Sequence, residues 1–250
     1  MRTSVSHLAF NENTADLLSK LPALGISNLE VVLSKIRVDD FSDFIKSANS
    51  AGLSVESAQS ILWNSGVSDL TEDSFASYML SMIPVYESLG VKTLVLGSPL
   101  QRQYENFEKL SSQFFKIDSA LASAGLTLCI EPNSRNYGGK YFFDVSSIVK
   151  FIESCNLSNV KTMIDTHNLI LEGLDPVDQL ISYSSKVHHI HVSEVGLEGF
   201  IESDRHSDLA RAINSIKYSG IVTYEVLNSK NLLLEILNFT KCFVKNNSNK

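Results

Sequence analysis

Short apolar runs alternate along this chain with longer stretches in which apolar residues recur every three or four positions. A short run bounded by polar residues is typical of a buried strand, and the three-to-four spacing indicates an amphipathic helix. The stretches Phe75–Leu89, Phe107–Leu121 and Asp144–Cys155 have the helical spacing. The pattern predicts eight strands, at Thr3–Phe10, Asn28–Leu33, Leu53–Ser57, Lys92–Leu96, Leu126–Ile130, Val160–Ile164, Val187–Val192 and Ile221–Val226.

Glycines stand one to three residues before several of these runs, at positions 25, 52, 90, 125 and 220. A glycine there ends the preceding helix in a left-handed conformation. Repeated strand–helix units imply parallel strands with right-handed crossovers. Eight units in 250 residues predict a closed (β/α)₈ TIM barrel of the α/β class. We expect one domain over residues 1–250, with the polar tail Lys245–Lys250 frayed.

The alternative is an open, doubly wound sheet, which usually has fewer strands and a glycine-rich phosphate loop after the first one. Here the first run is followed by Asn11, Glu12 and Asn13, and neither GxGxxG nor GxxxxGK[ST] occurs in the sequence. The sequence therefore favours the barrel.

Composition narrows the classes of partner. The net charge of -7 argues against non-specific nucleic-acid binding, which needs a basic face. No secretory signal and no run of 18 apolar residues is visible, so we expect a cytoplasmic protein without a membrane partner. The three cysteines lack CxxC spacing, which fits free thiols in a reducing compartment.

Polar residues end the last four predicted strands, and TIM-barrel enzymes carry their reacting groups at that end. Glu131, Asp165, His191 and Glu225 are separated by 34, 26 and 34 residues, about one unit each. Side chains alternate along a strand, so the neighbours two residues earlier should also face the interior. Three carboxylates and one imidazole would then converge at one barrel mouth.

Converging carboxylates repel one another, so such a site must hold either protons or a cation. Oxygen ligands with one histidine suit a divalent ion, with Mn²⁺, Mg²⁺ or Co²⁺ favoured and Zn²⁺ as a further candidate. The alternative for each acid is that it caps a following helix or pairs with a basic neighbour.

The segments CIEPNSR, MIDTHN, VHHIHVSE and YSGIVTYEV follow one another in this order. Between Gly125 and Val226 the chain resembles the xylose isomerase-like sugar phosphate isomerase/epimerase superfamily. That resemblance implies a TIM barrel and a metal held by the four strand-end residues. It also implies that Glu131 and Glu225 serve as the acid/base pair, and that Arg135, at a position where many members carry arginine, is a candidate substrate-binding residue.

Two positions depart from the pattern of the epimerase-like members. Asn168 stands where they usually have histidine, with His167 one residue earlier, and Tyr137 stands where they often have a second glutamate. Both changes concern substrate recognition, so His167 and Asn168 are candidate substrate-binding residues.

Further candidates come from single positions. His7 ends the first predicted strand and either lines the mouth or is packed. Arg205 lies in a predicted loop, Glu194–His206, and either grips an anionic substrate group or forms a surface ion pair. His189 is expected to be a hydrogen-bonded interior residue, whereas Glu30 is left open between the site and the helix layer.

These features favour a metal-dependent isomerase or epimerase of a small sugar, sugar acid or polyol, with proton transfer between two glutamates through an enediolate. An inosose-dehydratase-like lyase on the same site is the alternative. An apurinic-endonuclease-like phosphodiesterase and a non-enzymatic sugar-binding barrel are less favoured. The expected partner is a small carbohydrate, and the sequence leaves open whether the chain forms a homo-oligomer.

Overall fold

Eight parallel strands close into a barrel in chain order, as the sequence predicts. The computed structural model describes residues 1–10, 14–36 and 40–244. Each strand pairs with the next, and β8 pairs with β1. The strands are β1 (Arg2–Ser6), β2 (Asn28–Val31), β3 (Ser54–Ala58), β4 (Thr93–Leu96), β5 (Thr127–Ile130), β6 (Val160–Asp165), β7 (Val187–Val192) and β8 (Ile221–Tyr224).

Helices follow the strands and bury their apolar faces against the barrel. The predicted segment Asp144–Cys155 is a helix in which the Asp144 carboxylate accepts a hydrogen bond from the Ser147 N–H at 2.7 Å. This N-cap satisfies one of the unpaired amides of the first turn. The helices are α1 (Thr14–Lys20), α2 (Phe41–Ser50), α3 (Asp73–Ser88), α4 (Phe107–Ser123), α5 (Val145–Ser154), α6 (Thr166–Leu171), α7 (Pro176–Ser182), α8 (Asp204–Ser215) and α9 (Leu232–Phe243).

Most predicted boundaries differ from the structure by no more than two residues, and two differ by more. The first strand ends at Ser6, because the Ser6 hydroxyl accepts a hydrogen bond from the Leu8 N–H at 3.0 Å and turns His7–Ala9 into a short 3₁₀ helix. The loop predicted at Glu194–His206 ends at Ser203, because α8 begins at Asp204.

Buried residues form two layers. Most pack between the strands and the helices, whereas Val95, Cys129 and Met163 form a small cluster of their own. Cys129 and Met163 are two residues before Glu131 and Asp165, and therefore share their face of the sheet. No disulfide joins any of the three cysteines within these ranges. No helix in the described ranges is both long and apolar enough to cross a bilayer, and the tail predicted to fray lies outside those ranges.

Candidate active site

The last four strands bring Glu131, Asp165, His191 and Glu225 together at the carboxyl end of the barrel. Glu131 and Glu225 directly follow β5 and β8, Asp165 ends β6, and His191 lies in β7. All four are buried. His191 Nδ1 lies 3.3 Å from Glu225 Oε2, 3.8 Å from Asp165 Oδ2 and 4.0 Å from Glu131 Oε1.

The geometry of these four side chains fits one divalent ion. One donor atom from each lies within 4.8 Å of the donors of the other three. Ligands that bind one ion at about 2.0–2.6 Å can be at most about 5 Å apart. In addition, His191 Nδ1 is buried and has no hydrogen-bond partner within the described residues. A buried nitrogen that faces three carboxylates is a suitable ligand atom.

The net effect of burial and neighbouring charges is to raise the pKa of Glu131, Asp165 and His191. Burial and the negative charges of Asp165 and Glu225 hold the pKa of Glu131 well above its usual range. Burial and Glu225 likewise raise the pKa of Asp165. Burial lowers the pKa of His191, but the carboxylates of Glu30 and Glu225 outweigh this effect and leave it well above 6.5. The isolated site therefore holds protons that a bound cation would displace.

Glu30 lies behind His191 on β2, inside the barrel. Its Oε1 is 2.8 Å from His191 Nε2, and its Oε2 is 2.7 Å from His189 Nε2. Burial raises the pKa of Glu30, but the two histidines outweigh burial and the net pKa is lowered. The Thr223 hydroxyl lies 3.2 Å from His189 Nε2, so His189 is an interior hydrogen-bonded residue, as predicted.

Donor atoms of Glu30, His189 and His191 also lie within 4.8 Å of one another, which is close enough for a second ion. Direct contacts of 2.7 and 2.8 Å argue against one, since two ligands of a tetrahedral zinc ion stand about 3.3 Å apart. The arrangement instead matches a carboxylate that orients a ligating histidine through its second nitrogen.

Gly97, at the end of β4, makes room for the Glu131 carboxylate. A Cβ at this position would lie 1.6 Å from Glu131 Oε2. No side chain larger than hydrogen fits there unless Glu131 moves. The glycine therefore sets where one of the four donors can be.

Asp165 has two roles at once. Its Oδ1 accepts a hydrogen bond from the Asn168 N–H at 2.7 Å and caps α6, while Oδ2 accepts one from the Ser193 hydroxyl at 3.2 Å. Asn168 in turn donates through Nδ2 to Glu131 Oε1 at 3.3 Å and accepts through Oδ1 from the Ser134 N–H at 2.9 Å. The first turn of α6 thus ties the Asp165 and Glu131 carboxylates together.

A cavity of about 420 Å³ opens over the Glu131 and Glu225 carboxylates. Its size is in the range of small-molecule sites. Most of its side-chain groups are amides, hydroxyls, an imidazole and carboxylates. It is lined by Leu8, Gln59, Ser60, Gly97, Glu131, Asn133, Tyr137, His167, Asn168, Gly196, Leu197 and Glu225.

Tyr137 and His167 form a hydrogen-bonded pair in this lining. The Tyr137 hydroxyl contacts His167 Nε2. His167 Nδ1 lies 2.8 Å from the backbone oxygen of Glu194, which can only accept a hydrogen bond. A neutral His167 therefore carries its proton on Nδ1 and accepts from Tyr137 through Nε2.

Three of the candidate substrate residues do not line the cavity. The His7 ring packs against Phe10 and Phe44, with centroids 5.4 and 4.8 Å away. Arg135 forms an ion pair with Glu172 at 2.8 Å. Arg205 lies on α8 and lines a separate surface groove between α7 and α8.

The sequence reasoning missed several residues that shape the site. The sequence analysis does not single out Gly97, although its place directly after a predicted strand was a usable signal. Glu30 was considered but left open. Arg102, in the loop after β4, is fully buried and donates from Nη1 to the Glu131 carbonyl at 3.0 Å. No periodicity or motif marked this arginine.

Comparison with known families agrees with this geometry. The family model described as xylose isomerase-like TIM barrel matches residues 23–241. The chain belongs to that family. The family match covers most of the barrel, including all four residues of the carboxylate–histidine cluster. Among curated proteins, none matches this sequence.

Solved structures share the fold at low sequence identity. D-psicose 3-epimerase from Clostridium cellulolyticum H10, solved with D-tagatose, has a TM-score of 0.75 and 14% identity, over 98% of this chain and 92% of that one. 3-Keto-D-glucoside 4-epimerase from E. coli has a TM-score of 0.78 and 14% identity, over 98% of this chain and 99% of that one. An AP endonuclease, family 2, from Brucella melitensis has a TM-score of 0.77 and 14% identity, over 94% of this chain and 97% of that one. At this identity the likeness establishes the fold alone.

Proposed function

We propose that this protein is a metal-dependent isomerase or epimerase of a small sugar, sugar acid or polyol. The observation that carries the proposal is the buried cluster of three carboxylates and His191 beside a cavity lined mostly by residues with polar side chains. Glu131 and Glu225 stand at the two ends of an arc of four consecutive strands. A substrate held between them would present one face to each glutamate.

In this mechanism, Glu131, Asp165, His191 and Glu225 hold the ion, and the two glutamates also move the proton. One glutamate takes the proton from the carbon beside the substrate carbonyl. The other returns a proton to the opposite face or to the adjacent carbon. A divalent ion bound here would stabilise the negative charge that develops on the enediolate oxygens. The two roles require one glutamate to be ionised and the other to keep its proton, so a bound ion displaces some of the protons of the site but not all of them.

Apart from Glu131 and Glu225, the polar side chains of the lining are amides, hydroxyls and an imidazole, which suit a hydroxylated substrate. Asn168 is held by Ser134 and Glu131, and His167 by Tyr137 and Glu194, so both groups have fixed orientations. Gln59 adds a further amide. We therefore assign substrate contacts to His167 and Asn168. Arg135 and Arg205 have no part in this assignment, because neither lines the cavity.

A lyase that removes water from the same enolate is the second candidate. The Tyr137–His167 pair favours it, since a phenol in the lining could protonate a leaving hydroxyl group. Phosphodiester cleavage has less support, because the only other metal-type cluster in the described ranges, around Glu30, has hydrogen-bond distances instead.

The proposal is tested by incubating the protein with Mn²⁺ and a panel of ketoses, sugar acids and inososes. Proton NMR detects epimers and isomers, and ultraviolet absorbance detects an enone. We expect an epimer or isomer that disappears when a chelator removes the ion. Enone formation would favour the lyase, and nicking of abasic DNA without any sugar product would overturn the proposal.

A further inference from the structure

Arg102 is a buried cation to which the mechanism above gives no role. Its side chain is fully buried, although arginine is rarely buried without a charged partner. Its Nη1 donates to the Glu131 carbonyl at 3.0 Å, and its Nη2 donates to the Leu96 carbonyl at 2.8 Å. Nε has no hydrogen-bond partner within the described residues. The guanidinium therefore binds backbone carbonyl groups at the ends of two adjacent strands.

Those two strand ends carry the groups that determine the position of the Glu131 carboxylate. Leu96 ends β4 and precedes Gly97, whose missing side chain leaves the space for Glu131 Oε2. Glu131 directly follows β5, and its N–H donates to the Leu96 carbonyl at 3.2 Å. Arg102 thus fixes both sides of the gap in which the carboxylate lies.

The backbone around Arg102 is held as well. Its own carbonyl accepts a hydrogen bond from the Lys140 N–H at 2.8 Å, in the loop after β5. The guanidinium carbon lies 5.8 Å from the centre of the Phe142 ring, and Phe142 has a left-handed φ of 64°. A non-glycine residue in that conformation is strained, and such strain persists only where the surroundings enforce it.

The positive charge is stable in this position. Burial lowers the pKa of Arg102 to about 10, so the group stays charged at neutral pH. A buried charge is costly unless it is compensated. The Glu131 carboxylate acts against the effect of burial and raises the pKa of Arg102, so it supplies part of that compensation.

We propose that Arg102 is a positioning residue for Glu131: its two carbonyl contacts hold the Glu131 backbone so that the carboxylate reaches the metal. This inference rests on the proposed function and names a residue that acts through another. Arg102 does not touch the substrate.

Positioning and charge predict opposite effects on metal affinity, which makes the inference testable. If Arg102 only contributed charge, its removal would strengthen binding of a cation. If it holds Glu131 in place, its removal weakens binding, as for other residues that support a ligand, by about 10–100-fold.

The experiment uses Co²⁺, whose visible absorption reports the geometry of its ligands. We expect Arg102→Ala to alter the Co²⁺ band and to weaken Co²⁺ binding, and guanidinium chloride at a non-denaturing concentration to restore both in part. Sodium chloride at equal ionic strength should restore neither. Leu121→Ala, a buried core change on the outer helix α4, controls for loss of stability and should keep the wild-type band.

Each outcome is decisive. An unchanged or strengthened Co²⁺ affinity in Arg102→Ala, or a band altered equally in Leu121→Ala, would overturn the positioning role. Wild-type protein that binds no Co²⁺ would instead count against the metal site itself, and with it the role assigned to Arg102.

Discussion

His191 faces two environments, and this explains why Glu30 matters. Its Nδ1 points to the three carboxylates, while its Nε2 lies 2.8 Å from Glu30. A carboxylate on the second nitrogen fixes the ring orientation and makes the first nitrogen a better donor to a metal. Glu30 is fully buried, so its charge is not screened by water.

Glu30→Gln should therefore weaken metal binding by about 10–100-fold while leaving the fold intact. Isothermal titration with Mn²⁺ measures the change. Glu56→Gln is the matched control, because Glu56 lies on the neighbouring strand β3 and pairs with Arg2 instead. Equal metal affinity in both variants would remove Glu30 from the account.

Gly97→Ala should weaken metal binding through a steric clash alone. The added methyl group would lie 1.6 Å from Glu131 Oε2, so the carboxylate must move. We expect metal affinity to fall by at least about tenfold with little loss of stability in the metal-free protein.

Gly90→Ala provides the contrast for this variant. Gly90 has a φ of 78° and no atom within 4 Å of an added Cβ. Its substitution should cost about 1–2 kcal/mol of stability through backbone strain and leave metal affinity unchanged. The interpretation of Gly97 would be wrong if the two variants exchanged these effects.

At the scale of elements, α6 couples the site to the fold. Asp165 caps this helix with Oδ1 and faces the other carboxylates with Oδ2. Asp165 is thus a helix cap, and it is also one of the proposed metal ligands. The cap places Asn168 and His167 over the carboxylates.

Two substitutions at Asp165 separate these roles. Asp165→Asn keeps a capping oxygen, whereas Asp165→Ala loses it at a cost of about 1 kcal/mol. Both should lose most metal affinity. Without metal, however, Asp165→Asn should be at least as stable as wild type, because one of three repelling carboxylates is gone. Urea unfolding with a chelator present measures this, and a large loss of stability in Asp165→Asn would contradict it.

The sequence predicts the barrel and its strands well, because parallel strands buried on both faces alternate regularly with amphipathic helices. The sequence also predicts that Glu131, Asp165, His191 and Glu225 come together, because the carboxyl ends of parallel strands meet at the same edge of the barrel. The orientation of Glu30 is harder to predict, because its neighbours Leu29, Val31 and Val32 are all apolar and do not reveal which face of β2 points inward. His7 lies outside the cavity because the strand ends at Ser6, where the hydrogen bond from the Leu8 N–H begins a 3₁₀ helix, and not at Phe10 as predicted.

At the scale of the whole molecule, the site makes stability depend on pH. The folded pKa values of Glu131, Asp165 and His191 are raised, so the folded metal-free protein binds more protons than the unfolded chain. Stability must then fall as pH rises through the raised folded values. The lowered pKa of His7, about 4, acts only below pH 6.5, where the unfolded histidine gains its proton.

Between pH 7 and 9, the metal-free protein should lose stability, by up to about 1.4 kcal/mol per pH unit for each extra proton held by the folded state. Saturating Mg²⁺ displaces some of those protons and should weaken the dependence. Urea unfolding at both pH values, with chelator or with Mg²⁺, tests this. A metal-free protein that gains stability over this range would contradict the raised pKa values.

The central claim is that Glu131 and Glu225 move one substrate proton above a shared ion. Its most direct measurement is deuterium incorporation from D₂O into a turned-over substrate, followed by mass spectrometry in wild type, Glu131→Gln and Glu225→Gln, with metal content determined on the same samples. We expect wild type to place deuterium on the carbon beside the carbonyl. One metal-loaded variant should still exchange that proton without forming product, and the other should not exchange it. Normal turnover in both metal-loaded variants would contradict the paired-glutamate mechanism.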